Sequence, residues 1–534
     1  MSLLLLSLLA LPVAALEVLP EYLEDPAAYL SGLPAPLPPR ADAPGPGRFI
    51  VDPAATRQTI WGLGFEIQSD SIGSGNHGLP ESNSSVPWEL TPAERTRLAT
   101  ELLLGFRFCR LALGLYFRGN TSDGRNIVER WPGQAAAMAD MARDSQIEGF
   151  DVEYWSPPPG WKSSNSYIGG SLIGFDAPTL DAFGDAVVRD LAYLESAGLH
   201  PVQWGLQNEP PYSTPYSCCV YSPEQYHAAF VASAGKVKAA YPELLIHVCS
   251  NTGQTVTGAP IAADASAAAL VDGWTWHCVG CPSDQQLGGA IDRFLNHSLG
   301  KPVWNNEFEY LDNHVNPNRT LNTAQSIMNW LAFGNSPTWY WLHALKPTVN
   351  VEAPGYGLGY WRPYADTNYS HFPTLQPGHW TPNSDNANAL LGFTRYMPWD
   401  SVRVEVQEDA QRSSARVLAY LFNPKAALWR VGSSRVSHHA RVHDRPGRER
   451  DASALAAATH LGVALSNAGP EPFEVSLVVL GGAGGVAPVF QGFAYSPSAA
   501  NVPLGNASAG RDAFGHWQLN VTLQPLTVAF WVQV

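Results

Sequence analysis

From about residue 60 to 345 the chain alternates short apolar runs, rich in aromatic and β-branched residues, with longer stretches of helical period. That alternation predicts βα units around a parallel sheet. The strand segments are IWGLGFEI (60–67), FRFCRLALG (106–114), FDVEYWS (150–156), VQWGLQNE (202–209), LLIHVCS (244–250), GWTWHCV (273–279), KPVWNNEF (301–308) and TWYWLHA (338–344). Eight strands in this span predict a (β/α)8 barrel with some long loops. Helix signals fall where that count needs them. Thr91-Pro92-Ala93-Glu94 and Ser222-Pro223-Glu224-Gln225 each combine an N-cap, a proline at the first helical position and a capping Glu or Gln. The run 179–198 ends on Gly198, a good C-terminal stop, and Asn322 is expected to open a helix that stops at Gly334.

Beyond residue 390 the period changes to two. SVRVEVQ, ARVLAYLFN, EVSLVVLGG, WQLNVTLQ and TVAFWVQV alternate as antiparallel strands do. The expected fold class is therefore α/β, a (β/α)8 TIM barrel with an accessory C-terminal antiparallel β-sandwich. The expected division is 1–15 signal peptide, 16–47 Pro-rich segment, 48–390 catalytic barrel and 391–534 sandwich. The strand RFIVDP (48–53) is a candidate to join the sandwich. Residues 435–455 carry no core-forming period; their His438, His439 and His443 read as a solvated loop rather than a metal site.

Composition narrows the class. Hydrophobic residues make up 45% and charged residues 15%, enough for a large packed core. The net charge is −15, with 32 basic against 47 acidic side chains, which argues against nucleic-acid binding. The apolar run Leu3–Ala15 is too short to span a bilayer and reads as a signal peptide, and no later segment is long and apolar enough to insert in a membrane. Secretion agrees with N-x-[S/T] sequons at Asn83, Asn120, Asn296, Asn318, Asn368, Asn506 and Asn520. It also predicts that some of Cys109, Cys218, Cys219, Cys249, Cys278 and Cys281 pair as disulfides. Cys278-x-x-Cys281 lacks a second pair at zinc spacing, so neither a metal nor a cofactor is expected.

Catalytic groups of barrel enzymes sit at the C-terminal ends of strands. Glu209, in Asn208-Glu209-Pro210, follows strand 4, and Glu307, in Asn305-Asn306-Glu307-Phe308, ends strand 7. The interval between them is that of three βα units of roughly 30 residues. Two such carboxylates can face one another across the barrel mouth. Glycoside cleavage needs that pair, one as acid and one as nucleophile about 5 Å away in retaining enzymes. Arg110, ending strand 2, is the candidate cation for the nucleophile, and Asn208 the candidate partner of a sugar 2-hydroxyl. Glu309 is a rival to Glu307, two residues further into the loop. Trp155, Trp161, His277 and Trp341, at strand ends with Trp276, are candidate sugar contacts, since flat rings stack on the apolar faces of sugars. His277 reads equally as a satisfied core histidine. No G-x-S-x-G elbow or reactive-cysteine setting competes with this reading.

The set Arg110, WSPPPGW (155–161), Asn208-Glu209-Pro210, WTWH (274–277) and VWNNEF (303–308) resembles clan A glycoside hydrolases. The Trp-Ser-Pro-Pro run and the segment beginning RYMPWDSVRVEV look most like glycoside hydrolase family 30. The resemblance covers roughly residues 48–430. It implies retaining double displacement without metal or cofactor on β-linked glucose, xylose, galactose or fucose units of an oligosaccharide or polysaccharide. It carries the acid/base role onto Glu209 and the nucleophile role onto Glu307. The strand-1 stretch GLGFEIQSDSIGSG (62–75) departs from the pattern, and the resemblance gives Glu66 no role. A carbohydrate-binding protein without catalysis and a transglycosylase are the alternatives; the presence of both carboxylates argues against the first.

Overall fold

The computed structural model describes residues 46–67, 90–252, 257–277, 279–280, 283, 298–310, 316–348, 357–364, 372–409, 412, 414–424, 460–481 and 486–534. The expected signal peptide, His438, His439, His443, Cys278, Cys281 and the sequons at Asn83, Asn296 and Asn368 lie outside the described residues.

Eight parallel strands close into a barrel in chain order. They are strand 1 Gly62–Glu66, strand 2 Phe108–Leu113, strand 3 Gly149–Tyr154, strand 4 Pro201–Gly205, strand 5 Leu245–Thr252, strand 6 Gly273–His277, strand 7 Val303–Phe308 and strand 8 Thr338–Trp341. Strand 8 pairs with strand 1 from Thr338↔Gly62 to Trp341↔Phe65, which removes both edges. Strand 3 shows how one sequence serves two environments. Phe150, Val152 and Tyr154 belong to the large core, while the alternate residues Asp151 and Glu153 are buried polar groups. Below that polar layer lies a separate cluster of Trp61, Phe108, Leu245, Trp304 and Tyr340. Gly64 makes room for it, since a Cβ there would stand 2.2 Å from the Tyr340 ring.

The capping signals work as the sequence implies. Ser222 and Gln225 form a full capping box at the start of Pro223–Ala240, and Thr91 caps Pro92–Arg97. The helix Asn318–Ala332 opens earlier than expected, at Asn318 rather than Asn322. Ahead of it Asn316 Oδ1 accepts from the Asn318 N–H at 3.0 Å, and Pro317 stands at the N-cap. Asn322 instead accepts from the Ser283 N–H and donates to the Tyr310 hydroxyl from inside the helix.

The C-terminal strands form one ten-stranded sheet, antiparallel except where Gly47–Ile60 enters it. That strand pairs antiparallel with Ser401–Glu408 and parallel with Phe473–Val479. Period two explains how the sheet is used. Val417, Ala419, Val463, Leu465, Ala529 and Trp531 lie in the sheet's own core, whereas Leu418, Tyr420, Ala464, Val528 and Phe530 join the barrel's core. Leu477 and Leu519, from strands at the other end of the order, share the first of those cores, so the sheet bends over itself as a sandwich does. The disulfides expected from secretion do not form among the described cysteines. Cys109 on strand 2, Cys249 on strand 5, and the adjacent Cys218 and Cys219 on the loop after strand 4 are buried free thiols.

Candidate active site

Arg110 lies in the middle of strand 2 rather than at its end as expected, and side chains from the C-terminal ends of strands 1, 3 and 7 converge on it. Its guanidinium is buried, and four side chains accept from it. Nη1 reaches Glu307 Oε2 at 2.5 Å and Glu66 Oε2 at 3.3 Å; Nη2 reaches Glu153 Oε2 at 2.6 Å and Asn208 Oδ1 at 2.5 Å. Register explains the convergence. Arg110 lies opposite Glu66 on strand 1, and Glu153 points the same way as Arg110's opposite number on strand 3, Asp151. Burial lowers the arginine's affinity for its proton, but Glu153, Glu307 and Glu66 outweigh it and hold the group firmly cationic. Strand 7 supplies Glu307 through an irregularity. Its pairing with strand 6 shifts between Asn305 and Glu307, and such a bulge re-aims the side chains at a strand end. The Glu307 N–H donates to Asn305 Oδ1, and Asn306 Nδ2 donates to Ser250 Oγ.

Glu209 arrives differently. Strand 4 was expected to run to residue 209, but it ends at Gly205 and Glu209 stands in the turn beyond. Its φ is +45°, a left-handed conformation that costs a residue with a side chain about 1–2 kcal/mol. The turn is pinned by the Glu209 N–H donating to Ser250 O at 2.9 Å, and Ser250 is itself left-handed at φ +36°. Strain of this kind clusters at functional sites. His277, buried at the end of strand 6, stands between the carboxylates, with Nδ1 3.2 Å from Glu209 Oε1 and Nε2 3.6 Å from Glu307 Oε2. One atom from each of Glu209, His277 and Glu307 lies within 4.8 Å of the others. That spacing could hold a metal ion, but Arg110 already occupies Glu307 Oε2 with positive charge, which opposes a second cation there.

The other residues singled out from the sequence divide into two groups. Trp155 stays at the site, 5.7 Å from the Arg110 guanidinium carbon, with its Nε1 buried and without a partner among the described residues. Trp161 and Trp341 go into the core. Trp161 packs edge-on against Phe183 and donates to Arg125 O, while Trp341 lies among Phe308, Trp339 and Tyr310 and donates to His343 O. Trp276 packs on Trp330. Glu309, the rival to Glu307, is fully buried with both oxygens occupied, one facing His343 Nδ1 and the other accepting the Gly357 N–H, each at 2.7 Å.

Sequence reasoning missed Glu153, Ser250 and Tyr216. Glu153 was legible, with Asp151, as one of two acidic residues alternating with Phe150, Val152 and Tyr154. Tyr216, on the loop after strand 4, tilts against Trp155 with ring centroids 5.8 Å apart. Burial, with Glu209 and Glu307 beside it, pushes its hydroxyl up to about 12.

No protein-family model matches the chain, and no curated protein matches its sequence. Solved structures do share its fold. A glycoside hydrolase family 30 subfamily 8 xylanase from Clostridium acetobutylicum superposes with a TM-score of 0.62 at 17% identity, covering 91% of this chain and 99% of that one. The catalytic domain of a family 30 xylanase C from Talaromyces cellulolyticus gives 0.61 at 15% identity, over 91% and 100% of the two chains. An endo-β-1,6-glucanase gives 0.62 at 13%, over 92% and 95%. By its fold, a closed parallel barrel with a sheet-rich second unit, this chain resembles glycoside hydrolase family 30.

Proposed function

We propose that the protein is a secreted retaining glycoside hydrolase that cleaves β-glycosidic bonds of an oligosaccharide or polysaccharide. The observation that carries this reading is the pair Glu209 and Glu307, whose oxygens approach within 4.8 Å across the barrel mouth with only one of them held by Arg110. That separation suits direct attack, whereas inverting enzymes leave room for a water between their carboxyl groups. Glu307, bound to Arg110, is the nucleophile, and Glu209 is the acid and base.

In the first step Glu307 attacks the anomeric carbon while Glu209 gives its proton to the leaving oxygen. The glycosidic bond breaks as the glycosyl ester to Glu307 forms. In the second, Glu209 takes a proton from water, whose oxygen attacks the anomeric carbon and releases Glu307. Arg110 holds the nucleophile in place through both steps. Trp155 Nε1, Gln207 Oε1 and Asn306 Oδ1 are buried at strand ends without partners among the described residues, and sugar hydroxyls would complete them. The titles of the fold neighbours, xylanases and a β-1,6-glucanase, support a β-glycan substrate. Secretion is supported by the apolar leader and by Asn120, Asn318, Asn506 and Asn520, which are all exposed. Among the described residues no helix is long and apolar enough to cross a membrane.

The test is proton NMR of the first product anomer from a panel of β-linked oligosaccharides. Wild type, Glu209→Gln and Glu307→Gln are run together. A β-anomer from wild type, lost in both variants, is expected. A first-formed α-anomer would mean inversion and remove the nucleophile role from Glu307; binding without turnover on every substrate would favour a carbohydrate-binding protein.

A further inference from the structure

Arg110 is surrounded by more carboxylates than one guanidinium can neutralise. Glu66, Glu153 and Glu307 all contact it, and exposures of 1%, 1% and 5% leave little water to screen their mutual repulsion. Carboxylates crowded in a low-dielectric site do not all ionise; one keeps a proton. The three are not equivalent. Glu307 and Glu153 approach Arg110 at 2.5 and 2.6 Å, whereas Glu66 Oε2 stands 3.3 Å away on the same Nη1 that serves Glu307. Glu66 Oε1 is buried with no partner among the described residues, so an anion there would go unsolvated on one side.

We propose that Glu66 carries the proton of this cluster, and that as an uncharged acid it leaves Arg110 to the ionised Glu307 and Glu153. Glu66 is then a positioning residue for the nucleophile, acting through Arg110, and the inference rests on the reading of Glu307 above. An ionised Glu66 would compete with Glu307 for Nη1; a neutral one accepts weakly and does not. The remaining groups around Glu66 do not change the balance. Cys109, on the neighbouring strand, is pushed up by burial and remains a neutral thiol. Burial pushes the Lys346 ammonium below its ordinary value, and Lys346 is the weakest of the charges acting on Glu66. Glu307 is faced in addition by His277, Glu209 and Tyr216. Burial, the largest influence on Glu66, raises it well above the usual carboxylate range despite Arg110, in agreement.

The acid limb of kcat/KM, which follows ionisation of the nucleophile in the free enzyme, reads the difference. Glu66→Gln replaces a neutral acid by a neutral amide, so the limb is expected to stay at its wild-type pH. Glu153→Gln removes an anion from Arg110, and the limb is expected to move down by about one pH unit. A Glu66→Gln limb that moves as far as that of Glu153→Gln overturns the proposal, and so do two unmoved limbs. Infrared spectroscopy at neutral pH provides a second arm that needs no substrate and no folded Glu153→Gln. Glu209 and the buried Asp190, whose carboxyl burial raises to about 7, contribute protonated-carboxyl bands to both proteins, so a further C=O component is expected in the wild-type minus Glu66→Gln difference spectrum; its absence overturns the proposal. A protein inactive on every glycoside would sink the hydrolase reading, while the spectrum would still decide which carboxyl holds the proton.

Discussion

The two carboxylates at the barrel mouth are held by opposite means. Glu307 belongs to strand 7, is 5% exposed, and is locked to a buried guanidinium that three other side chains also grip. Glu209 lies four residues past the end of strand 4, on a left-handed backbone, with an 18% exposed side chain whose one ionisable partner at contact distance among the described residues is His277. A nucleophile benefits from fixed geometry and a fixed counter-charge. An acid that must also act as a base benefits from access to water and from freedom from a permanent cation. The contrast supports the proposed roles without reference to any relative, and it can be broken by experiment.

The largest effect is expected from Arg110→Met. Removing the cation leaves Glu66, Glu153 and Glu307 buried together, a loss of about 3–5 kcal/mol in stability measured by denaturant unfolding. Activity of the folded fraction is expected to fall at least about a thousandfold, since a repelled nucleophile is both misplaced and protonated. Activity within tenfold of wild type would remove the Arg110 clamp from the comparison. Next comes Glu309→Gln, which separates the two strand-7 glutamates. Glu309 faces His343 and accepts from Gly357, so its replacement is expected to cost about 1–3 kcal/mol in stability. The acid limb of kcat/KM is expected not to move. Loss of turnover as complete as in Glu307→Gln would return Glu309 to candidacy as the nucleophile.

Much of this was legible in the sequence because the signals were local. Each barrel strand lies on an apolar run, and helix starts follow Thr91-Pro92 and Ser222-Pro223, because strand burial and capping act within a few residues. Glu209 and Glu307 were legible from their places after strands 4 and 7. The network behind them was not. Glu153 meets Arg110 only when strands 2 and 3 are aligned in register, Glu66 only when strands 1 and 2 are, and Glu307 only when strand 8 closes on strand 1. Trp161 and Trp341 mark the converse limit. A tryptophan at a strand end is equally suited to core and cleft, and the neighbours that decide, Phe183 for one and Phe308 for the other, lie on elements distant in sequence or on the far face of the same sheet. Asn322 is not a helix start, because the helix has already opened at Asn318 and the Asn322 side chain bonds Ser283 and Tyr310, partners that only the fold brings to it.

The smallest expected effect tests the backbone half of the comparison. At position 209 the left-handed φ penalises any residue with a Cβ, so Glu209→Gly should be more stable than Glu209→Ala by about 0.5–1 kcal/mol, the relief of strain less the entropy that glycine adds to the unfolded chain. At position 307 the backbone is a β-strand, where glycine is worse than alanine by about the same amount. The glycine-minus-alanine difference, taken from urea midpoints of the four variants, should therefore change sign between the two sites while all four lose catalysis. Using alanine as the reference cancels the loss of each carboxylate's own contacts, so the sign reports the backbone alone. Equal signs would mean that the turn after strand 4 relaxes once its side chain is gone. The strain would then be imposed by the grip of His277 on Glu209 rather than by the bond from the Glu209 N–H to Ser250.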